Sequence, residues 1–305
     1  MSVLCLLFGK TRQAWYDALN RDESEQVWDG ILHDEIVRIR KNQPNSGLRK
    51  LYHQLLPFCE KWGIKMGRDK LGVFLGENGF NHRIKKYRVY TTNSRHRFHK
   101  YKNLTAGLIL IKANQLWVTD ITYVKLKDEF AYLSLITDAY SRKIIGWALW
   151  PDLSTKGCMA ALNQALKTLN KQFKGTLIHH SDRGIQYCSD AYTERLLNFF
   201  GEKEQESALK IDISMTQNGD PYENALAERM NRTIKEEMLS NRIFDNIDQA
   251  RHAIDKAITE YNEVRPHQSL DFLTPNIAAS SHTFILHHHP FQPILPINII
   301  GQHTP

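Results

Sequence analysis

Residues 213–237 read Ile-Ser-Met-Thr-Gln-Asn-Gly-Asp-Pro-Tyr-Glu-Asn-Ala-Leu-Ala-Glu-Arg-Met-Asn-Arg-Thr-Ile-Lys-Glu-Glu. Asn218-Gly219-Asp220-Pro221 is a run of turn formers, and the residues from Tyr222 onward favour helix, with no glycine or proline before Pro266. A loop therefore feeds a helix. At about 100° per residue, Leu226, Met230, Ile234 and Met238 fall in one sector, and Asn224, Glu228, Arg232 and Lys235 gather on the other. One face packs, and the other carries a carboxylate among cations and amides. Taken alone, this is also the pattern of a solvated surface helix.

Two other stretches give the carboxylate company. Gln115-Leu-Trp-Val-Thr-Asp120-Ile-Thr-Tyr-Val alternates β-branched and aromatic residues and reads as a strand interrupted by Asp120. A carboxylate on a half-buried strand needs a partner or a metal. In Gly175-Thr-Leu-Ile-His-His-Ser-Asp182-Arg-Gly-Ile-Gln-Tyr, a short apolar strand runs into Asp182, at the carboxyl end where α/β sheets place functional side chains. Either aspartate alone reads equally well as a turn or cap residue. Three carboxylates on two strands and a helix point to a metal site rather than to general acid–base work. Magnesium takes oxygen ligands and keeps waters, so a few convergent carboxylates and a substrate phosphate suffice.

These segments, together with Tyr261-Asn-Glu-Val-Arg-Pro-His-Gln-Ser-Leu-Asp-Phe-Leu-Thr-Pro, resemble the integrase core of bacterial insertion-sequence transposases, specifically the second-frame (OrfB) product of the insertion-sequence-three type, a cousin of retroviral integrases. The resemblance covers residues 4–279 and is strongest over 115–276. It implies an α/β fold: a ribonuclease-H-like integrase core, with a mixed five-stranded sheet and flanking helices, preceded by a small helical, helix-turn-helix-like domain. It implies metal-dependent cleavage at element ends and strand transfer into target DNA, with Asp120, Asp182 and Glu228 as catalytic residues holding two Mg²⁺ ions, for which Mn²⁺ can substitute. It further implies that Lys235, two helical turns beyond Glu228, contacts element-end DNA. Arg232, Arg229, Asn224 and His180 are candidates for holding DNA or supporting the metal site. The implied partners are DNA, a second copy of the chain when two ends are synapsed, and an upstream-frame (OrfA) protein joined by frameshift fusion. One feature departs from the family pattern: 45 residues lie between Asp182 and Glu228, where about 35 is usual. The excess falls in the charged stretch 200–210, and loop closure depends only weakly on length. Two readings compete with a working transposase: a non-catalytic DNA-binding remnant, and a structure-selective nuclease that cuts without joining.

The rest of the chain frames this core. Its 305 residues suit two domains, and a net charge of +7 favours a polyanionic partner. Cysteines 5, 59, 158 and 188 have neither CxxC nor zinc-ligand spacing and read as reduced thiols of a cytoplasmic, nucleoid-associated protein. The apolar opening Met1–Phe8 is too short to span a membrane. Residues 24–41, 47–61 and 69–78 read as helices of an N-terminal region ending at 80. The Gly-containing turn between the last two is compatible with helix-turn-helix geometry and equally with a plain bundle.

Residues 81–107 form a basic linker carrying Arg83, Lys85, Lys86, Arg88, Arg95 and Arg97 without an acidic residue. Such a run neutralises phosphates, and its interleaved Tyr87, Tyr90, Phe98 and Tyr101 can stack on bases. The catalytic core is expected over 108–279: strands 130–138 and 143–150 after the Asp120 strand, helices 155–173 and 189–200 around the Asp182 strand, and a last helix 248–263. Asp138, beside a turn, reads as a cap. Residues 280–305 are a Pro/His-rich tail without helical or strand period, expected to be loose.

Overall fold

The computed structural model describes residues 11–80, 96–169, 175–199, 209–217 and 221–281. The chain divides into two compact units, Met1–Ile84 and Lys85–Pro305. Arg83, Lys85, Lys86, Arg88 and Arg95 lie outside the described residues, as do the 200–208 insertion and the tail from 282.

The first unit contains α1 (Arg12–Asn42), α2 (Leu48–Trp62) and α3 (Arg68–Glu77). Helix α1 begins well before the expected residue 24, because no proline occurs between 12 and 42 and its charged residues are good helix formers. Leu32 and Ile36 of α1, Leu51, Leu55 and Cys59 of α2, and Leu71, Phe74 and Leu75 of α3 form one buried cluster. Gly63 ends α2 in the left-handed conformation (φ 66°), which glycine adopts without a Cβ penalty, and Gly67 precedes α3.

The second unit is built on a five-stranded sheet. Its strands are β1 (Leu116–Lys125), β2 (Phe130–Asp138), β3 (Ile144–Trp150), β4 (Gly175–Ser181) and β5 (Leu209–Met215), in the order β3-β2-β1-β4-β5. The first three are antiparallel, and β1-β4-β5 run parallel, which makes the sheet mixed and ribonuclease-H-like. Helices α4 (Thr155–Lys167), α5 (Ile185–Cys188) and α6 (Asp190–Leu197) accompany β4. Helix α7 (Ala225–Arg232), a π-helical turn (Thr233–Met238), α8 (Ile247–Glu263) and α9 (Pro275–Ser280) follow β5.

Alternation along β1 assigns its residues to two cores. Leu116, Val118 and Val124 pack with α7 and α8, whereas Trp117 and Ile121 pack with α4, α5 and α6. Asp120 shares the parity of the first set, so it faces α7, beside Thr122 in a row whose other members, Leu116, Val118 and Val124, are apolar. Gly146 lets α4 approach β3: a Cβ there would stand 2.9 Å from that of Ala165.

Several expectations are corrected. Helix α4 stops at Lys167 rather than 173, where Thr168 Oγ1 donates to the Ala165 carbonyl and competes for the helix end. Helix α6 spans Asp190–Leu197 rather than 189–200. The helix after β5 stays α-helical only to Arg232, passes through the π turn, and ends at Ser240 and Asn241, both left-handed. Phe244 then bridges back to the end of β1, receiving a hydrogen bond from Lys127 N at 2.8 Å.

Residues 96–107, expected in a linker, lie on the core. The Leu104 amide donates to Ser214 Oγ at 2.9 Å, and Met215 N donates to the Lys102 carbonyl. Phe98 and Tyr101 pack on the α4–α6 side of the sheet, so these two aromatics are not free to stack on bases.

Candidate active site

Strand β1 carries Asp120, and its parallel neighbour β4 delivers Asp182 directly after its last residue, Ser181. Asp120 Oδ1 accepts a hydrogen bond from Ile121 N at 2.9 Å, and Oδ2 accepts one from Asn231 Nδ2 of α7 at 2.8 Å. Asp182 Oδ1 accepts from Gly184 N at 2.9 Å. A Cβ at Gly184 would stand 3.0 Å from that same oxygen, so the absence of a side chain permits this close turn. Glu228 is exposed on α7, where apolar Leu226 and Met230 point into the core.

The three carboxyl groups feel one another. Burial, then the charge of Asp182 and more weakly that of Glu228, push the Asp120 carboxyl up to about 8, against the hydrogen bonds from Ile121 and Asn231. Glu228 is raised by partial burial and by Asp182, and lowered by the neighbouring Arg232. Burial first, and the neighbouring carboxylate charges second, resist ionisation here, and carboxylate oxygens of this kind are the donors a hard divalent cation would take. Among the described residues, no three His, Cys, Asp or Glu side chains are already drawn together in an arrangement that holds a metal ion.

The other expected residues fall into three groups. Arg229, Arg232 and Arg97 are exposed. Lys235 sits in the π turn, with Nζ donating to Thr122 Oγ1 at 3.1 Å and lying 3.7 Å from the Tyr123 ring centroid. Burial lowers its pKa to about 8, against the pull of Glu236 and Asp120. His180 and Asn224 require correction, because a DNA-contacting role fits neither side chain as it stands. His180 is fully buried, with Nδ1 paired to Ser214 Oγ at 2.8 Å and Nε2 to the Glu223 carbonyl at 3.0 Å. Burial pushes its pKa down to about 4. Asn224 is buried and donates from Nδ2 to the Thr119 carbonyl at 3.3 Å.

Asp138 caps its turn as expected: it is buried, with Oδ1 accepting from the Ser141 amide and hydroxyl and Oδ2 accepting from Asn114 N. Cys59, Cys158 and Cys188 are free and buried. No helix among the described residues is long and apolar enough to cross a membrane.

Sequence reasoning missed Asn231, although a helical wheel places it two turns from Asn224 on the same face. It also assigned no task to the Tyr261–Gln268 motif. Tyr261 OH donates to the Arg142 carbonyl at 2.9 Å, and the Asn262 amide pairs with both backbone groups of Ile144 on edge strand β3. Arg265 makes a two-pronged pair with Glu237 of the π turn, at 2.8 and 2.9 Å.

Comparison with known proteins accords with this architecture. The Integrase core domain family matches residues 112–221, and a second Integrase core domain family matches 209–275. The 31 kDa protein of insertion element IS600 from Shigella sonnei is 32% identical over 277 residues, covering 89% of this chain and 96% of its own length. The transposase for insertion sequence element IS629, also from Shigella sonnei, is 31% identical over 248 residues, covering 81% and 78%. Among solved structures, the HTLV-2 integrase catalytic core domain in complex with magnesium aligns at a TM-score of 0.41 with 20% identity, over 55% of this chain and 98% of that one.

Proposed function

The chain belongs to the insertion-sequence transposases that carry an integrase core and acts in DNA transposition, and from that premise we propose that Asp120, Asp182 and Glu228 are the catalytic carboxylates of a DDE-type strand transferase. The observation that carries the reading is the placement of Asp120 and Asp182 on two adjacent parallel strands, with α7, which bears Glu228, packed on the sheet and hydrogen-bonded to Asp120 through Asn231. Carboxylates placed in this way suit hard divalent ions, and Asp120, Asp182 and Glu228 are the residues that would hold them. A pair of Mg²⁺ ions, or Mn²⁺ in their place, supplies Lewis-acid stabilisation of charge at the phosphate during phosphoryl transfer.

The reaction is an in-line displacement at phosphorus. Water attacks first and a 3′-oxygen leaves; the freed 3′-hydroxyl of the element end then attacks a target phosphodiester, with a second 3′-oxygen leaving. No covalent protein–DNA link is formed. Arg229 and Arg232 are exposed beside Glu228 on α7 and neutralise phosphates; Arg97 is exposed as well, and the basic sequence 83–95 adds positive charge for the same partner. Lys235, half-buried in the π turn two helical turns beyond Glu228, is the lysine of this segment that would serve element-end DNA. The N-terminal helices act as the helix-turn-helix-like DNA-binding region. The working assembly contains at least two copies and an upstream-frame partner fused by frameshifting.

The test is strand joining on DNA carrying the element's own ends, in Mg²⁺ or Mn²⁺, with and without the fused partner. Asp182→Asn and Glu228→Gln are expected to abolish joining and keep DNA affinity. Wild-type joining by either variant removes that residue from the site. Binding without cutting, with the partner present, marks a regulatory remnant, and cutting without joining marks a nuclease.

A further inference from the structure

We propose that Asn231 is a positioning residue for this reaction: by donating from Nδ2 to Oδ2 of Asp120, it sets the direction in which that carboxylate faces Asp182 and Glu228. The inference rests on the reading of Asp120 as a metal-holding carboxylate.

Three donors run along one seam between α7 with its π turn and strand β1. Asn224 Nδ2 reaches the Thr119 carbonyl at 3.3 Å, Asn231 Nδ2 reaches Asp120 Oδ2 at 2.8 Å, and Lys235 Nζ reaches Thr122 Oγ1 at 3.1 Å. Every donor lies on the helical segment and every acceptor on the strand, so the seam fixes α7 lengthwise against β1. Glu228 lies on α7 between Asn224 and Asn231, and its height relative to Asp120 follows from that register.

Asn231 differs from the other two because its acceptor is the carboxylate itself. The other Asp120 oxygen is held by a backbone amide that no side-chain change removes. Asn231 is therefore the side chain among the described residues that hydrogen-bonds and orients Asp120. Its chemistry suits the task, since a neutral amide holds a carboxylate without placing a cation where a divalent ion belongs.

The amide is also held at a cost. Asn231 is 5% exposed, and its Oδ1 is buried without a hydrogen-bond partner among the described residues. An apolar residue would fill the same space without an unmet carbonyl. A side chain chosen only for packing α7 would not be an asparagine; one chosen to present Nδ2–H to Asp120 would be.

Mn²⁺ binding to the full chain, followed by electron paramagnetic resonance, tests this, with melting temperature and element-end DNA affinity measured alongside. Asp120→Ala is expected to lose Mn²⁺ binding. Asn231→Ala and Asn231→Ser are expected to weaken it by about 10–100-fold while retaining DNA affinity. Asn262→Ala removes buried contacts to the backbone of edge strand β3, which is not adjacent to β1, and is expected to lower the melting temperature while leaving Mn²⁺ affinity near wild type. Wild-type Mn²⁺ affinity in either folded Asn231 variant overturns the proposal and leaves the metal reading standing. Loss of the fold in both Asn231 variants assigns a structural role and also overturns it. Undiminished binding in Asp120→Ala overturns the metal reading itself, and the inference with it.

Discussion

At the scale of single residues, Asp120 couples the site to pH. Its carboxyl, pushed up to about 8 from 3.8, keeps a proton in the folded protein that the unfolded chain has already lost. The folded state then binds more protons than the unfolded state, so stability falls as pH rises from the lower value through the upper one. His179 and His180 act oppositely at lower pH. Burial pushes them down to about 3 and about 4, so their contribution is lost as pH falls below the usual histidine value of 6.5. Between pH 6.5 and 8 these histidines are neutral in both states, and Asp120 sets the slope. Metal-free wild type is therefore expected to lose about 1.4 kcal/mol per pH unit through Asp120 near pH 6.5, the slope falling to about half of that by pH 8. Urea titrations at several pH values check this: Asp120→Asn removes that part of the slope, and an unchanged slope refutes the shift. Asp120 and Asp182 were legible in the sequence because each breaks a local pattern, a strand or a strand end. Asn231 was not, because what marks it is an acceptor on β1, remote in the chain and adjacent only in the fold.

At the scale of elements, the segment 224–238 shows where a helical wheel serves and where it drifts. Leu226, Met230, Ile234 and Met238 are all buried, as the wheel requires. The π turn, however, changes the rotation per residue after Arg232, and Lys235 comes to rest over β1. Glu237 and Arg265 help to hold that turn: their ion pair is largely buried, and Arg265 also lies over the Tyr261 ring, 5.3 Å from its centroid. Arg265→Ala leaves Glu237 uncompensated and is expected to cost about 3–5 kcal/mol, measured by denaturant unfolding. Replacing both partners together, Glu237→Leu with Arg265→Met, should cost far less, because no unpaired charge remains. Equal losses in the single and double variants would show that packing, not charge, governs the pair. The family motif at 261–268 thus ties α8 to the π turn and to edge strand β3, a task no one-dimensional pattern announces.

At the scale of the molecule, the second unit begins earlier than residue 108. Phe98 and Tyr101 cover the apolar cluster on the α4–α6 side of the sheet, and Leu104 is tied to Ser214. A fragment spanning 96–281 is expected to fold and unfold cooperatively, whereas one starting at 108 should melt lower, since each of these partly buried aromatics contributes a fraction of the roughly 1.5–3 kcal/mol of full burial. Equal melting temperatures would show that 96–107 is only draped on the core. The sequence by itself determined the order of the main strands and helices along the chain and the family to which it belongs, and it singled out Asp120, Asp182 and Glu228 as candidates, because alternation, helical period and motif are properties of neighbouring residues. Tertiary structure alone decided that Asp120, Asp182 and Glu228 influence one another, that His180 and Asn224 turn inward, and that Asn231 grips Asp120. Those outcomes depend on strand register, on the phase of a π turn and on burial, each of which is set by groups far apart in the chain and close only once it has folded.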